Sequence, residues 1–134
     1  MRCGAFAVYP MYRGLAKLVG MTAAQGGGTP LSQLESMRQR WSDFDFFFFH
    51  FKRADTAGED GDFRGKVEAL EEFDDLIPRL RALEADVMII AGDHSTPAVL
   101  AAHSWHPVPL LVHSWQTKSS MGAMSALPSA LSSM

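Results

Sequence analysis

The most constraining feature of this chain is the run from Asp43 to Arg53, DFDFFFFHFKR, which is aromatic on both alternating faces. A strand covered on one side alternates apolar with polar residues, whereas Phe46 to Phe49 are unbroken and demand cover on both sides. The run predicts a strand central to a sheet. Four residues are also far short of the ~20 that cross a membrane as a helix. A second apolar run of strand length, Asp86 to Ala91, follows it, and a third strand is expected over Pro109 to His113. Between the first two, Asp62 to Leu83 carries Val67, Leu70, Phe73, Ile77 and Leu80 at steps of three and four. That spacing predicts an amphipathic helix with Asp62 near its N-terminus, kinked or split near its end by Pro78. Thr96 and Pro97 read as the cap and first turn of a short helix through about Ala102. Alternating strands and helices imply right-handed crossovers and an α/β fold, a mostly parallel sheet flanked by helices.

The N-terminal residues 1–21 read as an extended piece ended by Pro10, then a short helix from Tyr12 to Val19 stopped by Gly20. Gly26 to Gly28 form a flexible break. They follow no predicted strand and lack the Lys-Ser/Thr of a phosphate loop, so they are not a nucleotide cradle. Thr29 and Pro30 open a helix over Leu31 to Trp41, with Leu31, Leu34 and Met37 or Trp41 on its buried side. Ala54 to Gly61 is turn-rich, and Thr117 to Met134 is a Ser, Ala and Met tail without period. At 134 residues, 47% hydrophobic and 20% charged, the chain is long enough to bury its own core. A net charge of −3 offers no basic face to nucleic acid or an anionic membrane. The single cysteine, Cys3, excludes an internal disulfide framework and favours a reducing, cytoplasmic setting.

Ligands of open α/β sheets bind at the carboxyl ends of the strands. The end of the first strand delivers Lys52, Asp55, Glu59, Asp60 and Asp62; the second delivers Asp93 and His94; beyond it come His103 and His106. Carboxylates and imidazoles therefore converge on one sheet edge, a mixed oxygen and nitrogen set suited to Mn²⁺, Zn²⁺, Co²⁺ or Fe²⁺. Each residue also has a plainer role open to it. Asp55 to Asp62 can be a solvated acidic turn, His103 or His106 a surface histidine, and Asp93 a helix cap. Lys66, Glu68, Glu71 and Glu72 read as the solvated face of the long helix.

The combination carries a resemblance. The segment Phe51 to Asp62 (FKRADTAGEDGD), the motif Gly92 to Pro97 (GDHSTP) and the motif His103 to Pro109 (HSWHPVP) resemble the 2,3-bisphosphoglycerate-independent phosphoglycerate mutases. The match is with the branch first described in archaea, within the alkaline phosphatase superfamily, and it runs from about Ala5 to Ser114. Tyr12 to Gly14, Gly20 and Met21 resemble the point where that family's substrate domain returns to the catalytic domain. The resemblance implies two divalent metals, commonly Mn²⁺ with Mg²⁺, Zn²⁺ or Co²⁺ as alternatives. It also implies interconversion of 3- and 2-phosphoglycerate through a phosphoserine. Asp93 and His94 match ligands of the metal beside the nucleophile, and Asp55 and His103 match ligands of the second. Glu59 stands where many superfamily members place a histidine, and a carboxylate there favours a harder metal. Lys52 and Arg13 are candidates for the phosphate or carboxylate of the substrate.

No segment matches the family's nucleophilic serine, so the expected set holds no catalytic nucleophile. Residues 1–28 are expected to lead from a substrate domain, residues 29–115 to be the C-terminal part of the metal-binding catalytic domain, and residues 116–134 to be a low-complexity end. The expectation is therefore a C-terminal piece of a cytoplasmic mutase, inactive alone. A metal-dependent phosphatase or phosphonate-processing relative, and a non-catalytic remnant, are the alternatives.

Overall fold

The computed structural model describes residues 1–114; the tail expected over 116–134 lies outside the described residues. Strand β1 (Cys3–Ala7) leads into α1 (Pro10–Leu18), the short β2 (Thr22–Ala23) and α2 (Pro30–Gln39). Then come β3 (Phe46–His50), α3 (Arg53–Glu59), α4 (Phe63–Arg81), β4 (Val87–Ala91) and β5 (Leu110–Ser114). The local chemistry of the first half is as expected. Gly20 adopts φ +81°, a left-handed conformation that ends the chain's course along α1. Thr29 caps α2 by accepting from the Ser32 amide, while the Ser32 hydroxyl accepts from the Thr29 amide, with Pro30 at the first turn.

Strands β2, β1 and β3 form a parallel sheet in that order, with Cys3 opposite Phe46 and Ala7 opposite His50. The central strand is thus β1 and not β3. Ala5, Phe6 and Ala7 are fully buried, whereas Phe46 is 47% exposed. The aromatic run still has work on both faces. Phe47 packs on Phe6 and stacks on Trp41 at 4.1 Å, while on the other face His50 stacks on Tyr12 of α1 at 3.6 Å. Phe6, Leu34, Met37, Phe44 and Leu76 form the core, joined by Phe49, Phe73, Leu80 and Leu83. Leu31, expected in that core, is exposed.

Three further differences concern the segments around the strand ends. Ala54 to Gly61 is not a run of turns: Arg53–Glu59 is a helix, followed by a turn with Gly61 at φ +70°. Asp62 does cap α4, accepting from the Gly65 amide, but α4 continues through Pro78 to Arg81. Residues 97–102 make turns rather than a helix, with Leu100 bonded back to Pro97 and Ala101 to Ala98. Val99 is 91% exposed, so a helix there has no apolar surface to bury, and a short helix without packing is marginal. Without a crossover helix the chain returns at once, and β4 and β5 pair antiparallel, with Ala91 opposite Leu110. The bridge between Ser95 and Ser104 extends that pairing toward the loop.

Candidate metal centre

Three loops meet where the strands end. His50 ends β3, and Lys52 and α3 follow it. The segment Asp93 to Thr96 follows β4, and the turn leading to β5 carries His103. Asp55, His94 and His103 each offer a ligand atom, and those atoms lie within 4.8 Å of one another. Asp55 Oδ1 is 3.8 Å from His94 Nδ1 and 3.9 Å from His103 Nε2. Glu59, one helical turn after Asp55, joins from the same side, its Oε1 3.1 Å from His103 Nε2. Asp93 stands on the other side, Oδ2 3.6 Å from His94 Nε2 and accepting from the Tyr12 hydroxyl at 3.3 Å.

Lys52 sits behind the two carboxylates of α3. It donates to Asp55 Oδ2 and lies 3.6 Å from Glu59 Oε2, which leaves Oδ1 and Oε1 turned toward the imidazoles. Thr96, only 4% exposed, donates its hydroxyl to Asp55 Oδ1 and lies 3.1 Å from His94 Nδ1. Burial works against ionisation of Asp55, yet the hydrogen bonds from Lys52 and Thr96 outweigh it and hold the carboxyl below its ordinary pKa. The hydrogen bond to Asp55 raises Lys52 in turn. The cluster is therefore anionic and open on one side, with His103 half exposed.

The donor set fits a divalent cation. Ligand atoms about 2.0–2.2 Å from a common ion stand roughly 3–3.6 Å apart, close to the separations of Glu59 from His103 and of Asp93 from His94. Carboxylate with imidazole, and no thiolate, is the set for Mn²⁺, Co²⁺, Fe²⁺ or Zn²⁺.

The structure thus brings together Asp55, Glu59, Asp93, His94, His103 and Lys52. Arg13 follows Tyr12 on α1, but no hydrogen bond or ion pair joins it to the cluster among the described residues. His106 turns aside, its Nδ1 2.8 Å from the Ser104 hydroxyl, and Asp62 is used as a cap. Two contributors escaped the sequence. Thr96 looked like a helix cap and instead holds Asp55 and His94. Lys66 looked solvated and instead donates to the carbonyls of Ala54 and Thr96 at 2.9 and 2.8 Å.

An α/β domain with mixed carboxylate and imidazole groups at its strand ends is an architecture suited to holding a divalent metal. The chain belongs to the Metalloenzyme superfamily, whose profile matches residues 21–131, running on past Ser114 where the motif resemblance ended. It is 54% identical over 118 residues to a curated protein of Thermotoga petrophila named "Probable 2,3-bisphosphoglycerate-independent phosphoglycerate mutase", covering 88% of this chain and 29% of that protein. A Thermus thermophilus protein of the same name is 56% identical over 111 residues, covering 81% of this chain and 27% of the relative. The chain spans under a third of the length of these relatives. Among solved structures, the PH0037 protein from Pyrococcus horikoshii superposes with a TM-score of 0.77 at 29% identity, covering 89% of this chain and 39% of that one. That likeness and the superfamily match place the α/β fold with the alkaline-phosphatase-like domains.

Proposed function

We propose that this chain carries the metal-binding part of a cofactor-independent phosphoglycerate mutase, the enzyme that interconverts 3- and 2-phosphoglycerate. The observation that supports it best is the convergence of Asp55, His94 and His103 from three separate segments, in a chain more than half identical to proteins of that name. Asp55, Glu59 and His103 would hold one divalent ion and Asp93 with His94 a second, Mn²⁺ being the preferred species for this oxygen-rich set. Bound there, the ions would supply positive charge against the oxygens of a phosphoryl group in transfer.

The residues of the chain do the rest of the positioning. Lys52 turns Asp55 and Glu59 toward the imidazoles, and Thr96 fixes the inner oxygen of Asp55. Lys52 and Arg13 are the cations for the phosphate or carboxylate of a small phosphoglycerate in the cytoplasm. No side chain is assigned as nucleophile. Ser95 and Ser104 bridge one another through their backbones, and the Ser104 hydroxyl lies 2.8 Å from His106 Nδ1. Residues 1–28 would lead in from a substrate domain and residues 29–115 would form the metal-binding part proper. Residues 116–134 would be a low-complexity end, and the 134-residue chain alone would not turn over.

The test is a chimera in which this chain replaces the matching segment of the Thermotoga petrophila relative. The chimera should convert 3-phosphoglycerate to 2-phosphoglycerate with Mn²⁺, and the same chimera with His103→Ala should not. Phosphate release without isomer formation would contradict the mutase reading in favour of a phosphatase. Robust mutase turnover by the 134-residue chain alone would contradict the absence of a nucleophile.

A further inference from the structure

Lys66 belongs to α4 and offers no ligand, yet it joins the two segments that carry the ligands. Its Nζ donates to the Ala54 carbonyl at 2.9 Å and to the Thr96 carbonyl at 2.8 Å. Ala54 immediately precedes Asp55 on α3, and Thr96 follows His94 by two residues. These segments are distant in sequence, and an ammonium with three donors is well suited to bridge two main-chain oxygens. The approach is close enough to exclude any side chain at Gly58. A Cβ there would overlap the Thr96 carbonyl oxygen and stand 2.9 Å from Lys66 Nζ. Helix α3 therefore rests directly on the backbone of the His94 loop at the point where the amine joins them.

We propose that Lys66 is a positioning residue of the metal centre: it pins α3 to the loop from Asp93 to Thr96 and so sets Asp55 against His94. The inference rests on the reading that these side chains hold a divalent cation. It has a sign that distinguishes it from a bystander charge. A nearby ammonium repels a divalent cation, so removing it on Coulombic grounds alone tightens metal binding. Removing a clamp that orients ligands weakens binding, on the order of 10–100-fold for groups of this kind.

The experiment is calorimetric titration of the 134-residue chain with Mn²⁺, together with the visible spectrum of its Co²⁺ form, for the wild type and Lys66→Met. The expected result is Mn²⁺ binding about 10–100-fold weaker in Lys66→Met, with a shifted Co²⁺ band and an unchanged far-ultraviolet circular dichroism spectrum. If Lys66→Met does not fold, the wild type supplies the answer through linkage. A clamp that favours the metal is favoured by it, so Mn²⁺ should slow modification of Lys66 by an amine-reactive reagent while leaving Lys17 unchanged. Equal or tighter Mn²⁺ binding by a folded Lys66→Met overturns the inference, as does Lys66 modification indifferent to Mn²⁺. A wild type that binds no Mn²⁺ overturns the ligand set itself, and the clamp with it.

Discussion

Replacing Gly58 by alanine tests how tightly α3 must seat for the site to exist. Gly58 is buried, and its backbone faces the Thr96 carbonyl with no room for a methyl group. The added Cβ would also stand 3.0 Å from Thr96 Cγ2 and 2.9 Å from Lys66 Nζ, so backbone rather than a flexible side chain has to yield. Overpacking of this sort costs about 1–3 kcal/mol. Alanine's better helix propensity returns about 1 kcal/mol. The net destabilisation is then roughly 0–2 kcal/mol, a fall in Tm of about 4 °C for each kcal/mol in a domain this size. The larger consequence is geometric. The helix has to back away from the loop, carrying Asp55 and Glu59 from His94 and His103, and ligand misplacement of this kind weakens metal binding on the order of 10–100-fold. Thermal melts of the metal-free protein and calorimetric Mn²⁺ titration read the two effects separately. Gly14→Ala, in the interior of α1 where an added Cβ meets nothing within 4 Å among the described residues, is the control: helix propensity should raise its Tm by about 4 °C while its Mn²⁺ affinity stays that of the wild type. A folded Gly58→Ala protein with wild-type Mn²⁺ affinity would show that the seating of α3 on the Thr96 carbonyl does not set the ligand geometry.

Two predictions concern protons. Burial lowers His50 below its ordinary pKa of 6.5, with Asp93 and Asp55 offsetting part of the effect, and its Nδ1 is buried without a hydrogen-bond partner among the described residues. A depressed folded pKa contributes stability above pH 6.5 that is lost as pH falls through the folded value. Urea midpoints should therefore drop from pH 7 to 5 in the wild type and drop less in His50→Phe, which keeps the stack on Tyr12; parallel slopes would contradict this. Asp55 is likewise depressed from 3.8, so its contribution is present above that pH and disappears below it as the carboxyl protonates. Asp55→Asn should flatten that acid limb, cost about 1 kcal/mol at neutral pH in the metal-free chain, and abolish Mn²⁺ binding. An acid limb of unchanged steepness would show that the Lys52 and Thr96 bonds do not hold Asp55 in solution.

The candidate ligands that the structure brings together were legible because each lies in a short local pattern. Phe46 to Phe49 marked a strand end that delivers Lys52 and Asp55. Val87 to Ala91 marked another that delivers Asp93 and His94, and His103 followed at the next turn. What was not legible depended on distance in the chain. Aromatic residues on both faces of β3 suggested a central strand, but the small side chains of Ala5 and Ala7 let β1 take that place between β2 and β3. The antiparallel return of β5 follows from a missing crossover helix, and the six residues 97–102 looked helical by capping signals alone. Lys66 is the clearest case. It stands in register with the buried Ala69 and Leu76 and the partly buried Phe73, one step aside from the predicted stripe whose Val67 and Leu70 are exposed, and nothing in α4 tells of two carbonyls from other segments within reach of a long flexible side chain.

If Asp55, Glu59, Asp93, His94 and His103 hold divalent metal as proposed, calorimetric titration with Mn²⁺ reads it out without any assumption about turnover. The wild-type chain should bind Mn²⁺ at micromolar concentration, and Asp93→Ala and His103→Ala should each bind it at least about tenfold more weakly while remaining folded. A wild type that takes up no Mn²⁺ in that range, or variants that bind it as well as the wild type, would mean that these five side chains are not the ligands.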